Sequence, residues 1–323
     1  MESLEVIGFG AMNLDLVYRV ERILSDGETT VEGFTAAPGG SAANTVYGLA
    51  RLGTATGFIG AVGNDDAGKK LLDDFESAGV DSSHVQVKKK AATGSALCLT
   101  DPTGKRALYV SPGANSLLDA PDTDIDYLNR AGFVHMSSFT GQKQFEVQQQ
   151  IVSNLAPSVK LSFAPGELYA AKGLDTLSPM LSRTHILFLN RNELEQLTGE
   201  GLEKGARLCL ERGCNMVAVT LGRGLARQGK TITCYLSDGE QDCMIESVPS
   251  RAQKTLETTG AGDAFAAGVL YGLLRGKGLQ DCGILGEIMA RFCIEKTGSR
   301  AGLPTPEELA VSYRKRTGST LHM

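Results

Sequence analysis

The sequence predicts an α/β fold, with a mostly parallel central sheet covered by helices on both faces and a small β-sheet lid set apart from it. Three observations carry that prediction. Apolar runs of strand length recur along the 323 residues, and helix-length segments separate most of them. The stretches 14–37 and 93–111 break this rhythm with strand-like content and no helical period. Glycine-rich turns stand directly before two predicted helices, an arrangement suited to ligand binding at the carboxyl edge of such a sheet.

Taken in order, 6–10 reads as a short buried strand, and 42–52 as a helix with Ala43, Val46, Leu49 and Ala50 on one face and Gly53 as its stop. A strand at 57–62 and a helix at 67–78 ending at Gly79 follow. Further strands are expected at 132–136, 160–163, 185–189 and 216–220. Residues 95–99 and 106–110 flank the turn DPTG at 101–104, which predicts a hairpin. The expected division is a main domain of 1–13, 38–92 and 112–323 and a lid of 14–37 and 93–111. A lid placed over a reacting centre would exclude water; an edge extension of the main sheet is the other reading of these strands.

A net charge of −5 argues against a nucleic-acid-binding surface, which needs clustered Lys and Arg. The lone basic run, Lys88 to Lys90, reads as a solvated turn. Seven cysteines at scattered positions, without a CxxC pair, predict reduced thiols, and the four histidines show no metal spacing. The start of the chain has neither the charged region nor the long apolar core of a signal peptide, and no run approaches bilayer-spanning length. A cytoplasmic protein without membrane contacts is expected.

The chemistry concentrates in TTGAGD at 258–263, ahead of the apolar stretch AFAAGVLYGLL. Gly260, Ala261 and Gly262 would let backbone N–H groups approach an anion at a helix N-terminus. Asp263 could accept the proton of an attacking hydroxyl there, which together makes a phosphoryl-transfer site. The plain alternative is a glycine-rich loop with Asp263 as an N-cap. PGGSAAN at 38–44 is a second such entrance: Gly39 and Gly40 permit close approach, and Asn44 suits hydroxyl recognition, unless Ser41 merely caps and Asn44 faces solvent. Asn13 and Asp15 would share one side of an extended segment, well placed for vicinal hydroxyls. After the strand HILFL comes NxxE, Asn190 to Glu193, where Glu193 could organise Mg²⁺ and its waters or simply occupy the first turn of a helix.

Two further patterns fail on inspection. GNDDAGKK at 63–70 has Lys70 where a P-loop needs Ser or Thr, and Asp65 and Asp66 would repel phosphates. The GxG at Gly8 and Gly10 meets Asn13 where a dinucleotide fingerprint needs its third glycine. His135 and His185 lie in or beside predicted strands and read as core residues rather than catalysts.

With PGGSAAN, GNDDAG, NRNE and ETTGAGDAF in this order, essentially the whole chain resembles the ribokinase-like (PfkB) family of carbohydrate and nucleoside kinases. The resemblance implies an α/β/α domain with a β lid, through which some members dimerise. It also implies ATP and Mg²⁺. Carried over residue by residue, it gives Asn13, Asp15, Gly39, Gly40 and Asn44 to the substrate, and Asn190 and Glu193 to Mg²⁺ and phosphate, with Glu193 acting on the metal through water. Gly260, Ala261 and Gly262 become the anion hole, with Asp263 as base. Thr220, Gly222 and Thr259 fall to the nucleotide, TLGRGL having Leu225 where the second glycine of TxGxxG is usual. Glu257 stands where Asp is common and bears on a monovalent-cation site. Residues 290–302, ending in TGSRAGLP, resemble the helix and loop flanking the adenine.

The expected function is therefore ATP-dependent phosphorylation of a hydroxyl on a small sugar. SFAPG at 162–166, with Ala164 where an Asp-containing segment is common, keeps a nucleoside kinase as the competing reading. Residues 31–34 and 95–97 are the expected discriminators, and a non-catalytic sugar-binding regulator is a lesser reading.

Overall fold

The computed structural model describes residues 4–103, 106–120, 123–247 and 259–321. Thirteen strands form two sheets: β1 (Val6–Phe9), β2 (Asn13–Val20), β3 (Val31–Gly39), β4 (Thr56–Gly63), β5 (Asp81–Lys88), β6 (Gly94–Thr100), β7 (Arg106–Ser111), β8 (Phe133–Ser137), β9 (Lys160–Ala164), β10 (Thr184–Asn190), β11 (Met216–Arg227), β12 (Lys230–Ser237) and β13 (Asp242–Glu246). The larger sheet runs β13-β12-β11-β10-β9-β8-β1-β4-β5, and is parallel from β11 through to β5. Every residue of β1 and β8 is buried, as strands covered on both faces require. The chain winds outward from β1 in both directions, so the sheet reverses order there, and ligands gather at the carboxyl ends beside such a point.

The helices are α1 (Ser41–Arg51), α2 (Asp66–Ala78), α3 (Ile125–Leu128), α4 (Gln142–Asn154), α5 (Gly166–Ala170), α6 (Gly173–Leu181), α7 (Arg191–Thr198), α8 (Leu202–Glu211), α9 (Ala261–Leu274), α10 (Leu279–Cys293) and α11 (Pro306–Thr317). One apolar core lies between the sheet and α3 to α8, and another between the sheet and α9, α10 and α11. Buried from Ala264 to Gly272, α9 is apolar all round. Its Gly268 lies so close to the α10 backbone that a side chain would meet Leu285. The helix carrying the GAGD turn is thus held by its neighbours.

The second sheet, β3-β2-β6-β7, contains the strands of both rhythm-breaking stretches. It begins at Asn13 and ends β3 at Gly39, so both residues belong to lid strands that run directly into the site. Asp101 accepts from the Thr103 N–H at 3.0 Å at the β6–β7 turn, whose Gly104 lies outside the described residues. β11 continues to Arg227, past the expected end at 220, through an irregularity between Thr220 and Leu225.

Both rejected patterns have structural roles. Gly8 is where α1 packs on β1: a side chain there would meet Val46 and Phe58 at 2.6 Å. Asp65 caps α2 through the Gly68 N–H and accepts from the Thr93 N–H, both at 2.8 Å, tying α2 to the start of β6. All seven cysteines are free thiols, and burial pushes Cys209 and Cys282 up to about 12. Among the described residues no helix is long and apolar enough to cross a membrane.

Candidate active site

Gly260 is the N-cap of α9 with φ 81, a conformation that glycine adopts without strain, and a side chain there would overlap Ser299. Asp263 stands three residues in, so it is not the cap. Its carboxylate reaches back to α1, accepting from Ser41 Oγ at 2.7 Å and from Asn44 Nδ2 at 2.9 Å. Burial pushes its pKa up to about 6, against the opposing pull of the Asn44 and Ser41 hydrogen bonds and the Arg300 charge. Gly262 is exposed and a side chain there would meet nothing within 4 Å among the described residues. Among the described residues nothing fills the space beside Gly262, as an anion site requires.

Gly40 has φ 100 and opens α1 without a side-chain cap; a Cβ would overlap the Ala11 carbonyl. Ser41 is therefore not the cap, and its hydroxyl serves Asp263 instead. Asn44 does not face solvent. It is 4% exposed, and its Oδ1 accepts from Ser299 Oγ at 3.1 Å and from Arg300 Nε at 2.9 Å. Its amide thus meets protein at both ends, with Nδ2 donating to the Asp263 carboxylate at 2.9 Å, a contact that stands beside its expected part in hydroxyl recognition.

On the lid side, Asp15 lies against Gly39, where a side chain would overlap the carboxylate. Asp15, Val17, Cys98 and Leu108 line a recess with Thr259. Asn13 is buried and its Oδ1 accepts from Asn115 Nδ2 at 2.9 Å. Asn115 also bonds the Met12 N–H and carbonyl, each at 3.0 Å, fixing the turn between β1 and β2. Of the expected discriminators, Ala96 pairs with Asp15 on the recess side, and two others do not face it. Phe34 is on the opposite face of the lid, packed on Tyr18 at 4.8 Å, and Leu97 pairs with Leu16 on that same face. The lid residues lining the recess are Asp15, Val17, Cys98 and Leu108.

Asn190 and Glu193 form a reciprocal capping box at the start of α7: Asn190 Oδ1 accepts from the Glu193 N–H at 2.9 Å, and Glu193 Oε2 from the Asn190 N–H at 2.8 Å. The local helix-start role is therefore real. Burial raises the Glu193 pKa and the Asn190 N–H lowers it, while the Asp263 and Glu167 carboxylates raise it further. Hard oxygen donors with excess negative charge fit Mg²⁺. Among the described residues no three metal-binding side chains cluster, so the ion would come with waters and phosphate oxygens.

Thr220 ends the regular part of β11, and Gly222 has φ 59. The next left-handed position is Gly224, φ 92, with Leu225 back in register opposite Ile232. A glycine thus stands one residue before Leu225, within the irregular stretch of β11. Glu257 and Thr258 lie outside the described residues. Residues 299–300, at the end of the segment likened to an adenine flank, pack on Gly260 and Asn44. His135 is fully buried and held neutral, its pKa pushed down to about 3, with Nδ1 2.7 Å from Ser162 Oγ.

Ser41, Asn115, Arg300 and its partner Asp74 were not predicted as site residues. The advance signals were Ser41's place inside PGGSAAN and Arg300's inside TGSRAGLP, though neither showed their contacts; Asn115 and Asp74 act over 100 or more positions of sequence.

The profile of the pfkB family carbohydrate kinases matches residues 3–306. An Archaeoglobus fulgidus protein described as an uncharacterised sugar kinase is 38% identical over 260 residues, 80% of this chain and 98% of its own. Ribokinase of Haemophilus influenzae is 26% identical over 311 residues, 93% of this chain and 95% of its own. Nucleoside kinase of Methanothermobacter thermautotrophicus is 27% identical over 280 residues, 87% and 85% of the two chains. Two solved structures share the fold. Arabidopsis thaliana ribokinase with ribose and ATP superposes with a TM-score of 0.81 at 23% identity, covering 97% of this chain and 99% of its own. An E. coli putative ribokinase II with ATP and Mg²⁺ gives 0.82 at 21%, with the same coverage.

Proposed function

The chain belongs to the pfkB family of carbohydrate kinases, a phosphotransferase of the sugar and nucleoside kinase class, and we propose that it transfers the γ-phosphoryl group of ATP to a hydroxyl of a small sugar. The observation that carries the reading is Asp263. Its carboxylate has a pKa near 6 and two neutral donors, and it stands at the start of α9 beside the open surface of Gly262.

In the proposed reaction Asp263 accepts the proton of the acceptor hydroxyl as that oxygen forms its bond to the γ-phosphorus. The bond from the γ-phosphorus to the β–γ bridging oxygen breaks, and ADP leaves with that oxygen. The N–H groups of Ala261 and Gly262 would stabilise the charge gathering on the phosphoryl oxygens. Mg²⁺, when bound, would supply charge neutralisation, with Glu193 holding its waters and Asn190 fixing Glu193. Thr220, Gly222 and Thr259 would meet the nucleotide. Asn13, Asp15, Gly39 and Gly40 would hold the acceptor, with Asp15 accepting from its hydroxyls.

One observation favours a second reading, a nucleoside kinase: Val17, Cys98 and Leu108 give the recess an apolar wall able to cover a base. The Asp15 carboxyl against Gly39, on the wall of the recess, favours the sugar. A non-catalytic role rested on Glu257 and Leu225; the first is outside the described residues, and beside the second a left-handed glycine, Gly224, stands one position earlier.

ADP release from Mg-ATP across pentoses, hexoses and nucleosides, with Asp263→Asn as control, tests the proposal. Turnover with a free sugar that drops about 10²- to 10⁴-fold in the variant supports it. Turnover with nucleosides alone replaces the substrate class, and undiminished turnover in Asp263→Asn overturns the assigned base.

A further inference from the structure

The loop that follows α10 brings an arginine into the site that neither the glycine turns nor NxxE would announce. Arg300 is 8% exposed, and its guanidinium makes three connections. Nε donates to Asn44 Oδ1 at 2.9 Å, NH1 pairs with Asp74 of α2, and NH2 reaches the Gly39 carbonyl at 3.5 Å. Its carbon Cζ lies 4.9 Å from the Tyr47 ring centre and 5.3 Å from that of Phe75, so the side chain is stacked as well as bonded. The neighbouring Ser299 Oγ also lies within bonding distance of Asn44 Oδ1.

These donors decide which way the Asn44 amide points. A carboxamide has an oxygen that only accepts and a nitrogen that only donates. With Arg300 Nε fixed as a donor beside one end, that end must be oxygen. Nδ2 then faces Asp263 and donates to its carboxylate at 2.9 Å. The reversed amide would set N–H against N–H at Arg300 and oxygen against carboxylate at Asp263. Asp74, anchored on α2, keeps the guanidinium plane in place, so a chain of contacts runs Asp74, Arg300, Asn44, Asp263.

We propose that Arg300 is a positioning residue for the phosphoryl transfer: by locking the Asn44 amide it fixes the orientation of the Asp263 carboxylate. The inference rests on the reading of Asp263 as the base. The same loop reaches the end of lid strand β3 through Arg300 NH2 on the Gly39 carbonyl, and the single Ser299 hydroxyl proton is shared between the Asn44 oxygen and the Pro38 carbonyl at 3.2 Å, so the lid and the base share one anchor. The charged and titratable groups around the pair come from every side. Asp263 faces Ser41 and Asn44 of α1, Arg300, and Glu193 at the start of α7. Arg300 faces Asp74 of α2, Tyr47 of α1 and Asp15 of β2.

The test reads Asp263 directly, by carbon NMR of the full-length protein labelled at the aspartate carboxyls, with the resonance assigned through Asp263→Asn. The wild-type carboxyl should titrate near pH 6. Arg300→Met should raise that midpoint by about one pH unit, and Asn44→Ala by a similar amount. The double variant should move it by less than the sum, because the arginine acts partly through the asparagine and only partly through its own charge. With D-ribose and with adenosine as acceptors, Arg300→Met should lower kcat about 10-fold or more and change the acceptor KM much less. Arg300→Lys keeps the charge without the planar fork, so it should restore the midpoint more than the turnover. Asp74→Asn, which leaves no unpaired carboxylate, should shift the midpoint the same way by less and covers the case in which Arg300→Met fails to fold.

Shifts that add, or a midpoint unchanged in both Arg300→Met and Asp74→Asn, would overturn the proposal. Full turnover in Asp263→Asn would instead overturn the base, so the two failures are distinguishable.

Discussion

Ser41 Oγ donates to Asp263 Oδ1 at 2.7 Å across 222 residues of sequence, joining the two glycine-rich helix starts into one site. Hydrogen bonds to the ionised form lower a carboxyl pKa, and here they oppose a burial effect that alone would push Asp263 higher still.

The pH dependence follows. A base must be ionised, so kcat/KM should fall as pH drops through about 6. Stability runs the other way. The folded pKa lies above the unfolded value, so the folded state binds more protons between pH about 4 and 6, and this group's contribution to stability rises as pH falls through that window. Ser41→Ala should move the acid limb upward by about half a pH unit or more. A limb left in place in that variant's pH–rate profile would remove Ser41 from the base's environment.

The two glycines of the turn should respond differently. Gly262→Ala meets no atom of the described residues within 4 Å, so its melting temperature should stay within about 1 °C while ATP turnover falls, the methyl occupying space meant for phosphate. Gly260→Ala must adopt a left-handed backbone against Ser299, and should lose more than about 2 kcal/mol of stability. Calorimetry alongside turnover separates them; equal melting curves would contradict the geometry.

Glu193→Gln preserves the capping box while removing charge, so folding should be unchanged. The Mg²⁺ concentration for half-maximal turnover should rise about 10-fold. An unchanged Mg²⁺ titration would confine Glu193 to its helix-start role.

Asp15→Asn keeps the shape of the contact with Gly39 and removes the strongest acceptor in the recess. The acceptor KM should rise about 10- to 100-fold with a smaller change in kcat. A fall confined to kcat would move Asp15 from substrate holding to chemistry.

The outward lid face carries Phe34, 54% exposed, beside Tyr18, and Tyr109, 61% exposed. Such a face suits a second copy of the chain. Sedimentation equilibrium should show a dimer that Phe34→Lys dissociates; a monomeric wild type would exclude this contact.

Periodicity and turn chemistry are local, and what they govern was legible in the chain itself. Strands at 57–62 and 185–189, the helix ending at Gly79, the strands either side of DPTG and the glycine turn ahead of α9 each depend on residues a few positions apart. Which face of a lid strand meets the site was not legible, because neighbours on a strand point oppositely and a shift of one residue exchanges Phe34 for Thr35. Nor was the surrounding of the base. Asn44 carries the same side chain whether or not it meets Asp263, and only the packing of α1, α9 and the loop at Arg300 brings the two together. Asp74 and Arg300 stand 226 residues apart, and a pair at that distance leaves no periodic trace in the sequence. The sequence by itself determined the elements and the chemistry of the glycine turn; the tertiary structure decided what the carboxylate touches, and hence its charge.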